Sequence, residues 1–372
     1  MTTKASTSLL FTLRGHNVGV TALVQCAYDN VACLISGDRE GSLILWDLIT
    51  FKKITSYAKI CSSQVQSLRV VRINVANKEQ QIIVAQSRND GLYLFETTTK
   101  GLKQLANYAT YEALFSRGDS LSRKNSTAIL TYPSCISNHL VTVRLIGDEG
   151  STIHSGSAQR FHEEDSKTAP VFDIVIREVE ESRYVLFVAY EDSTICAFYI
   201  NLDDMVHVPV IKTSGLNIKL VRKFVLDFKD FITSFDVRPV GNNYYIICGS
   251  PTKDIHIIEA PIALESSVAE AIDKIPLRKR GVSSVIASPD CQIAAIACWD
   301  SSIILYSIPL KNVIATLHHH TKQTQDLILL DTSITCDPFD TESSHSTNYC
   351  TQYRFLLCCA SMDGTISLTC IK

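Results

Sequence analysis

One window limits what this chain can become more than any other: Ser36-Gly37-Asp38-Arg39-Glu40-Gly41-Ser42-Leu43-Ile44-Leu45-Trp46-Asp47. The apolar run from Val31 to Ile35 leads into a short polar turn. A second run then alternates and ends in Trp-Asp, and Gly15-His16 stands upstream. Apolar runs joined by a glycine-containing turn read as paired strands. The unit recurs. With Trp46 as reference, its equivalents are Phe95, Ile146, Phe198, Ile258, Tyr306 and Thr369. Self-similarity at about 50–60 residues per unit marks a repeat architecture.

Gly-His before, Trp-Asp after and strand–turn–strand between resembles a WD repeat, one blade of a β-propeller. In such a blade a His, a small hydroxyl residue, an acid in the turn and the Trp share one hydrogen-bonded network. That assigns the roles to His16, Ser36, Glu40 and Trp46, with Glu40 where Asp is usual. Asp192, Asp300 and Asp363 are the turn acids of units four, six and seven, and Thr252 holds that place in unit five. The expectation is an all-β, seven-bladed WD-repeat propeller forming a single domain over residues 1–372. Each unit is longer than the roughly 40–45 residues of a WD repeat, so the excess falls in loops.

Unit two reads as Val65 to Val70, Ile82 to Ala85 and Gly91 to Phe95. Unit three is expected to start its strands at Ala128 to Leu130 and resume from His139 to Ile146. The last unit ends three residues after Thr369, with no length for an outer strand, while Leu9 to Leu13 has no blade of its own. The simplest arrangement is that this N-terminal run closes the ring as the outer strand of the last blade, the alternative being a frayed tail. Closure removes exposed edges. Tyr111 to Ser126, His154 to Ala169, Leu202 to Arg222 and Ile262 to Arg280 read as insertions or long connections. A fifth insertion, 331–353, is rich in Ser, Thr and Asp.

Composition narrows the function classes. Hydrophobic residues make up 46% of the 372, enough for a sizeable core, and the net charge of −3 does not favour binding a nucleic-acid backbone. Met1 to Ser8 is polar with no apolar signal segment. The longest apolar runs, such as Val185 to Ala189 and Phe355 to Ala360, are strand-length, so no membrane span is expected. Thirteen cysteines without C-x-x-C spacing point to buried thiols rather than a zinc ribbon.

Candidates for chemistry are few. Neighbouring side chains in an extended run alternate faces, so His318-His319-His320 makes a poor metal shell and fits the end of an outer strand instead. His162-Glu163-Glu164-Asp165 lies in a loop. Arg278-Lys279-Arg280 is either a fragment of a nuclear import signal or a solvated cluster. No phosphate loop, nucleophile elbow or dinucleotide fingerprint is present. No catalytic, cofactor-binding or metal-binding residue is assigned, and no cofactor is expected. The turn after each second strand should project one residue from a common face: Arg39, Arg88, His139, Glu191, Pro251, Trp299 and Met362. Trp and Arg are enriched at binding hot spots, which makes Arg39, Arg88 and Trp299 the candidate partner surface. The other reading of Trp299 is packing against its neighbouring blade.

The combination of units resembles the ASTRA-associated protein 1 family of WD-repeat proteins, whose animal counterpart is guanine nucleotide-binding protein β-subunit-like protein 1. The resemblance rests on Leu13-Arg14-Gly15-His16, on Gly41-Ser42-Leu43-Ile44-Leu45-Trp46-Asp47-Leu48, and on Val188-Ala189-Tyr190-Glu191-Asp192-Ser193. Ala297-Cys298-Trp299-Asp300 and Ser361-Met362-Asp363-Gly364-Thr365-Ile366-Ser367-Leu368 complete it. It implies a non-enzymatic subunit of the ASTRA assembly, nuclear or nucleocytoplasmic. The implied partners are TTT co-chaperone subunits, RuvB-like AAA+ ATPases and a phosphatidylinositol-3-kinase-related kinase, with ties to chromatin and telomeres. Direct contact with nucleic acid or membrane is not implied. The alternative is a generic WD-repeat adaptor, such as a ubiquitin-ligase substrate receptor or signalling scaffold.

Overall fold

The structure, a computed structural model, describes residues 6–29, 31–75, 78–98, 101–110, 116–123, 127–135, 140–148, 153–161, 169–180, 183–201, 217–264, 271–330 and 355–371. Among them there is no helix, and every strand belongs to one of seven four-stranded antiparallel sheets. β1 spans Thr7–Arg14. Blade one is β2 (Val20–Tyr28), β3 (Val31–Asp38), β4 (Leu43–Asp47) and β5 (Lys53–Tyr57). Blade two is β6 (Val65–Val75), β7 (Lys78–Ser87), β8 (Gly91–Thr98) and β9 (Gly101–Tyr108). Blade three is β10 (Asp119–Ser122), β11 (Ala128–Pro133), β12 (Val141–Asp148) and β13 (Ile153–Phe161). Blade four is β14 (Val171–Glu180), β15 (Arg183–Tyr190), β16 (Thr194–Asn201) and β17 (Asn217–Val225). Blade five is β18 (Ser234–Val240), β19 (Asn243–Gly249), β20 (Asp254–Pro261) and β21 (Ala271–Pro276). Blade six is β22 (Val282–Ala287), β23 (Ile293–Cys298), β24 (Ile303–Ser307) and β25 (Asn312–Leu317). Blade seven takes β26 (Thr324–Leu330), β27 (Phe355–Ser361) and β28 (Thr365–Ile371) from the C-terminal region and β1 as its outer strand. The fold class is an all-β, seven-bladed propeller, closed by the N-terminal strand.

The chain divides into two compact units. One contains Met1–Leu68 with Ser283–Lys372, essentially blades six, seven and one; the other contains Arg69–Val282, essentially blades two to five. Within each unit the apolar cores lie between successive blades. One core joins Leu34, Ile44 and Trp46 of blade one to Cys358, Ala360 and Leu368 of blade seven. Another joins Phe187 and Ala197 of blade four to Phe235, Ile246 and Ile258 of blade five. Second and third strands are therefore covered on both faces, which is why β15 and β23 are apolar runs without alternation, buried almost throughout. Outside the cores, Cys135 is exposed. The other described cysteines are buried thiols that serve as small apolar fillers.

All seven reference residues fall on third strands: Trp46 on β4, Phe95 on β8, Ile146 on β12, Phe198 on β16, Ile258 on β20, Tyr306 on β24 and Thr369 on β28. Six of them also mark a mechanical landmark, the exception being Ile258, where the ladder of blade five runs on without a slip. The register between third and outer strands slips at Leu45/Trp46, Leu94/Phe95, Arg144/Ile146, Ala197/Phe198 and Leu305/Tyr306. In blade seven it slips between Leu9 and Phe11, opposite Thr369 and Leu368. Such bulges increase the local twist of a ladder and bend the strand that carries them.

Several boundaries differ from the sequence reading. Ala128 to Leu130 lies on the second strand of blade three; the inner strand is β10, inside the stretch read as an insertion from Tyr111 to Ser126. β13, β17 and β21 likewise occupy parts of the stretches His154 to Ala169, Leu202 to Arg222 and Ile262 to Arg280. β13, β17 and β21 are outer strands, each paired along one edge only. β10 reads Asp-Ser-Leu-Ser, with a single apolar residue. The insertion 331–353, His139 and the loop His162 to Asp165 lie outside the described residues.

Leu13 is the buried residue by which β1 enters the core shared by blades seven and one. Replacement by Ala removes apolar contact and leaves a cavity. Leu13→Ala is expected to lower unfolding free energy by about 2–4 kcal/mol, measured by urea denaturation.

Candidate functional site

The blade-one network is present, with one change of member. His16 Nδ1 lies 2.8 Å from Asp38 Oδ2, His16 Nε2 lies 2.7 Å from Ser36 Oγ, and Trp46 Nε1–H donates to Ser36 Oγ at 2.8 Å. A carboxylate can only accept, so Nδ1 carries the proton and the Ser36 hydroxyl donates to Nε2. The acid is therefore Asp38, not Glu40. Asp38 Oδ1 also accepts the backbone N–H of Glu40 and of Ser42, each at 2.9 Å. Glu40 takes part through its backbone, and its side chain is exposed. An aspartate is short enough to close a tight ring onto N–H groups just ahead of it; the extra methylene of Glu loosens that ring. Burial alone would raise the Asp38 carboxyl. The bond from His16 and the N–H groups of Ser42 and Glu40 outweigh it and hold the group below the usual carboxylate range.

The turns of blades four, six and seven use the expected acids. Asp192 Oδ1 accepts Thr194 N–H at 3.1 Å, Asp300 Oδ1 accepts Ser302 N–H at 3.1 Å, and Asp363 Oδ1 accepts Thr365 N–H at 3.0 Å. In blade five Thr252 Oγ1 accepts Asp254 N–H at 3.4 Å, a longer version of the same cap. Blade seven rebuilds the network with different residues. His320 Nδ1 lies 3.2 Å from Asp363 Oδ2, and His320 Nε2 lies 2.9 Å from Ser367 Oγ. Of the histidine triplet, His318 is exposed, His319 half-buried and His320 buried.

Asp38–His16–Ser36 and Asp363–His320–Ser367 copy the order of a hydrolytic triad. Both serines are fully buried, and Ser36 Oγ is already engaged by Trp46. Neither hydroxyl is open to a substrate carbonyl from solvent, so the two sets act as structural clamps. Among the described residues no cluster of His, Cys, Asp and Glu is arranged to hold a metal ion.

The candidate surface residues separate. Arg39 sits exposed in the β3–β4 turn, with its N–H bonded to Gly19 O at 3.1 Å. Trp299 sits in the β23–β24 turn and is 44% exposed, so it is not packed away against a neighbouring blade. Met362 occupies the equivalent turn of blade seven, which contacts blades six and one. A Cβ on Gly19 would come within 2.8 Å of Met362 Sδ, so Gly19 lets that turn press against blade one. Trp299, Met362 and Arg39 thus belong to three consecutive blades of one unit. Arg88 is half-buried in the β7–β8 turn of the other unit, where it already has an interaction partner. Arg278, Lys279 and Arg280 are exposed in the connection between β21 and β22.

One constellation was not anticipated. On the inner strands of blades two to five, Arg69 Nε donates to Asp119 Oδ1 at 3.0 Å, and Arg177 Nη1 donates to Asp119 Oδ2 at 3.2 Å. Arg177 Nη2 and Arg238 Nε bond Asp236 at 2.9 Å each. Burial would raise the Asp119 carboxyl, but Arg69 and Arg177 hold it below its ordinary value. The available signal was a charged residue inside each inner strand.

Neither the comparison with protein-family models nor that with curated proteins returns a match. The functional reading therefore rests on the fold and on the geometry of its turns.

Two outcomes test these clamps. Ser36→Ala strands both the Trp46 N–H and His16 Nε2 and should cost about 1–3 kcal/mol, whereas Glu40→Ala should stay within about 0.5 kcal/mol, both by denaturant titration. Burial pushes the His320 imidazole below its ordinary 6.5, and the nearby Asp363 only partly offsets this. The folded state then disfavours the proton, so stability is complete above that value and falls as pH drops below it. Melting temperature followed from pH 8 to 5 should decline on the acid side, and less steeply in His320→Gln.

Proposed function

We propose that this chain is a non-enzymatic docking subunit of the ASTRA assembly, acting in the nucleus. Its protein partners on this reading are TTT co-chaperone subunits, RuvB-like AAA+ ATPases and a phosphatidylinositol-3-kinase-related kinase undergoing maturation. A seven-bladed propeller fits a WD-repeat scaffold or adaptor in general, because it offers a wide preorganised surface at little ordering cost. The observation that carries docking is Trp299, a large aromatic left 44% exposed in a turn, with Met362 and Arg39 on the two blades that follow. The sealed Ser–His–Asp sets support a non-enzymatic role. The particular assembly is supported by the resemblance of the first, fourth, sixth and seventh units.

The test is a tagged pull-down at native expression level, read by quantitative mass spectrometry. Near-stoichiometric TTT proteins and RuvB-like ATPases are the expected result. A stable complex without them, built instead around a ubiquitin ligase or a signalling enzyme, would replace the ASTRA reading with the generic adaptor. Trp299→Ala combined with Arg39→Ala is expected to cut recovery of the bound partner by about tenfold or more, with melting temperature unchanged.

A further inference from the structure

The strand ends opposite the Trp299 turn carry a second exposed apolar patch that the fold does not require. It lies where the outer strand of blade seven meets the β4–β5 turn of blade one, within one compact unit. Leu9 and Phe11 of β1 are 44% and 42% exposed, and Ile49 of the turn is 61% exposed. Phe11 stacks on Phe51 with ring centroids 5.0 Å apart, which fuses the two segments into one surface.

Phe51 occupies its place against local preference. Its φ is +56°, the left-handed region that favours glycine. The turn itself demands this conformation: Lys311, at the same distance after Tyr306 in blade six, has φ +50°. Blade six meets the demand with a soluble side chain, and blade one meets it with an aromatic. Phe51 is half-buried and packs against the core shared by blades seven and one, so the aromatic surface left to solvent is that of Phe11, stacked on it.

Charge selects the occupant. Lys52 and Lys53 follow Phe51, both exposed, and neither forms an ion pair among the described residues. The turn's own carboxylate, Asp47, is occupied internally by the N–H groups of Ile49 and Thr50 and the Thr50 hydroxyl. Those neutral donors leave the Asp47 charge in place, so the turn sets two lysines against one carboxylate and is apolar with a net positive charge. A second copy would bring the same lysine pair to both sides of an isologous contact. An anionic lipid surface calls for a cluster of about 4–8 basic residues rather than two.

We propose that this rim is a docking surface for an acidic amphipathic segment of a partner protein. Its apolar face lies on Phe11, stacked on Phe51, and its carboxylates meet Lys52 and Lys53. The surface is separate from the Trp299 turn and does not depend on which complex the chain joins.

The test uses the full chain and a fluorescein-labelled synthetic peptide of about 18 residues, with Leu and Phe at i, i+3, i+4 and i+7 and Glu elsewhere. Binding is read by anisotropy beside a version carrying Lys for Glu and a scrambled version. The Glu peptide is expected to bind about tenfold tighter than the Lys peptide, and the double variant Lys52→Glu/Lys53→Glu, confined to solvated side chains, to reverse that order. Phe11→Ser, at an exposed position of β1, should weaken the Glu peptide about fivefold or more with melting temperature unchanged. Absent binding, equal binding of the Glu and Lys peptides, or indifference to either variant overturns the proposal. So does concentration-dependent dimerisation abolished by Phe11→Ser, or Lys52/Lys53-dependent sedimentation with phosphatidylserine vesicles in place of peptide binding.

Discussion

Neighbouring inner strands belong to different sheets, so they share no continuous hydrogen-bond ladder. Their facing N–H groups are buried and need acceptors from elsewhere, since an orphaned one is costly. Aspartates on the inner strands supply them. Asp326 accepts Leu327 N–H at 3.0 Å on its own strand and Leu23 N–H at 2.9 Å on the next blade. Asp173 does the same for Ile174 at 3.0 Å and Phe235 at 3.3 Å, and Asp119 reaches Ile176 at 3.1 Å. Each carboxylate staples two blades, and the apolar cores between blades depend on that spacing. Burial dominates at Asp173 and pushes its carboxyl up to about 7, although Arg117, Arg69 and the two N–H groups favour the charged form. Where arginines approach more closely, as at Asp119, the balance tips the other way.

The repeat was legible because third strands are buried on both faces and carry a bulky residue at a fixed mechanical point, the bulge. The eye finds Trp46, Phe95, Phe198 and Tyr306 for the same reason that the outer strand bends there. β10 was not legible because its chemistry is ionic: Asp119 is chosen for arginines that arrive from distant parts of the chain. β17 and β21 were not legible because an outer strand keeps its shape by pairing with a buried neighbour and can read like a loop. The exchange of Glu40 for Asp38 has a different origin. Spacing from the Trp names a position, but side-chain length decides which carboxylate reaches the turn's N–H groups.

The candidate surface was legible in part. Trp299 and Arg39 project as the turn pattern implies. Arg88 shares the pattern and is nonetheless half-buried with a partner, because position in a turn does not determine what surrounds it. The Phe11–Phe51 rim had no sequence signal at all. It arises only because β1 is carried to the far end of the chain, next to a turn from blade one.

That transport has a consequence for synthesis. Thr7 pairs with Ile371 and Arg14 with Thr365, so most of the described chain is synthesised between the outer strand of blade seven and its partner. On a ribosome adding about 5–20 residues per second, β1 waits roughly 20–70 s before β28 emerges. Throughout that interval the segment that carries Leu9, Leu10, Phe11 and Leu13 lacks its pairing partner, which leaves its apolar side chains open to mispairing with other nascent chains. Contacts this distant in sequence are also the slowest to form. The final clasp of the propeller is thus a kinetic vulnerability as well as a structural one, and the nascent chain has reason to meet a chaperone before it meets any partner.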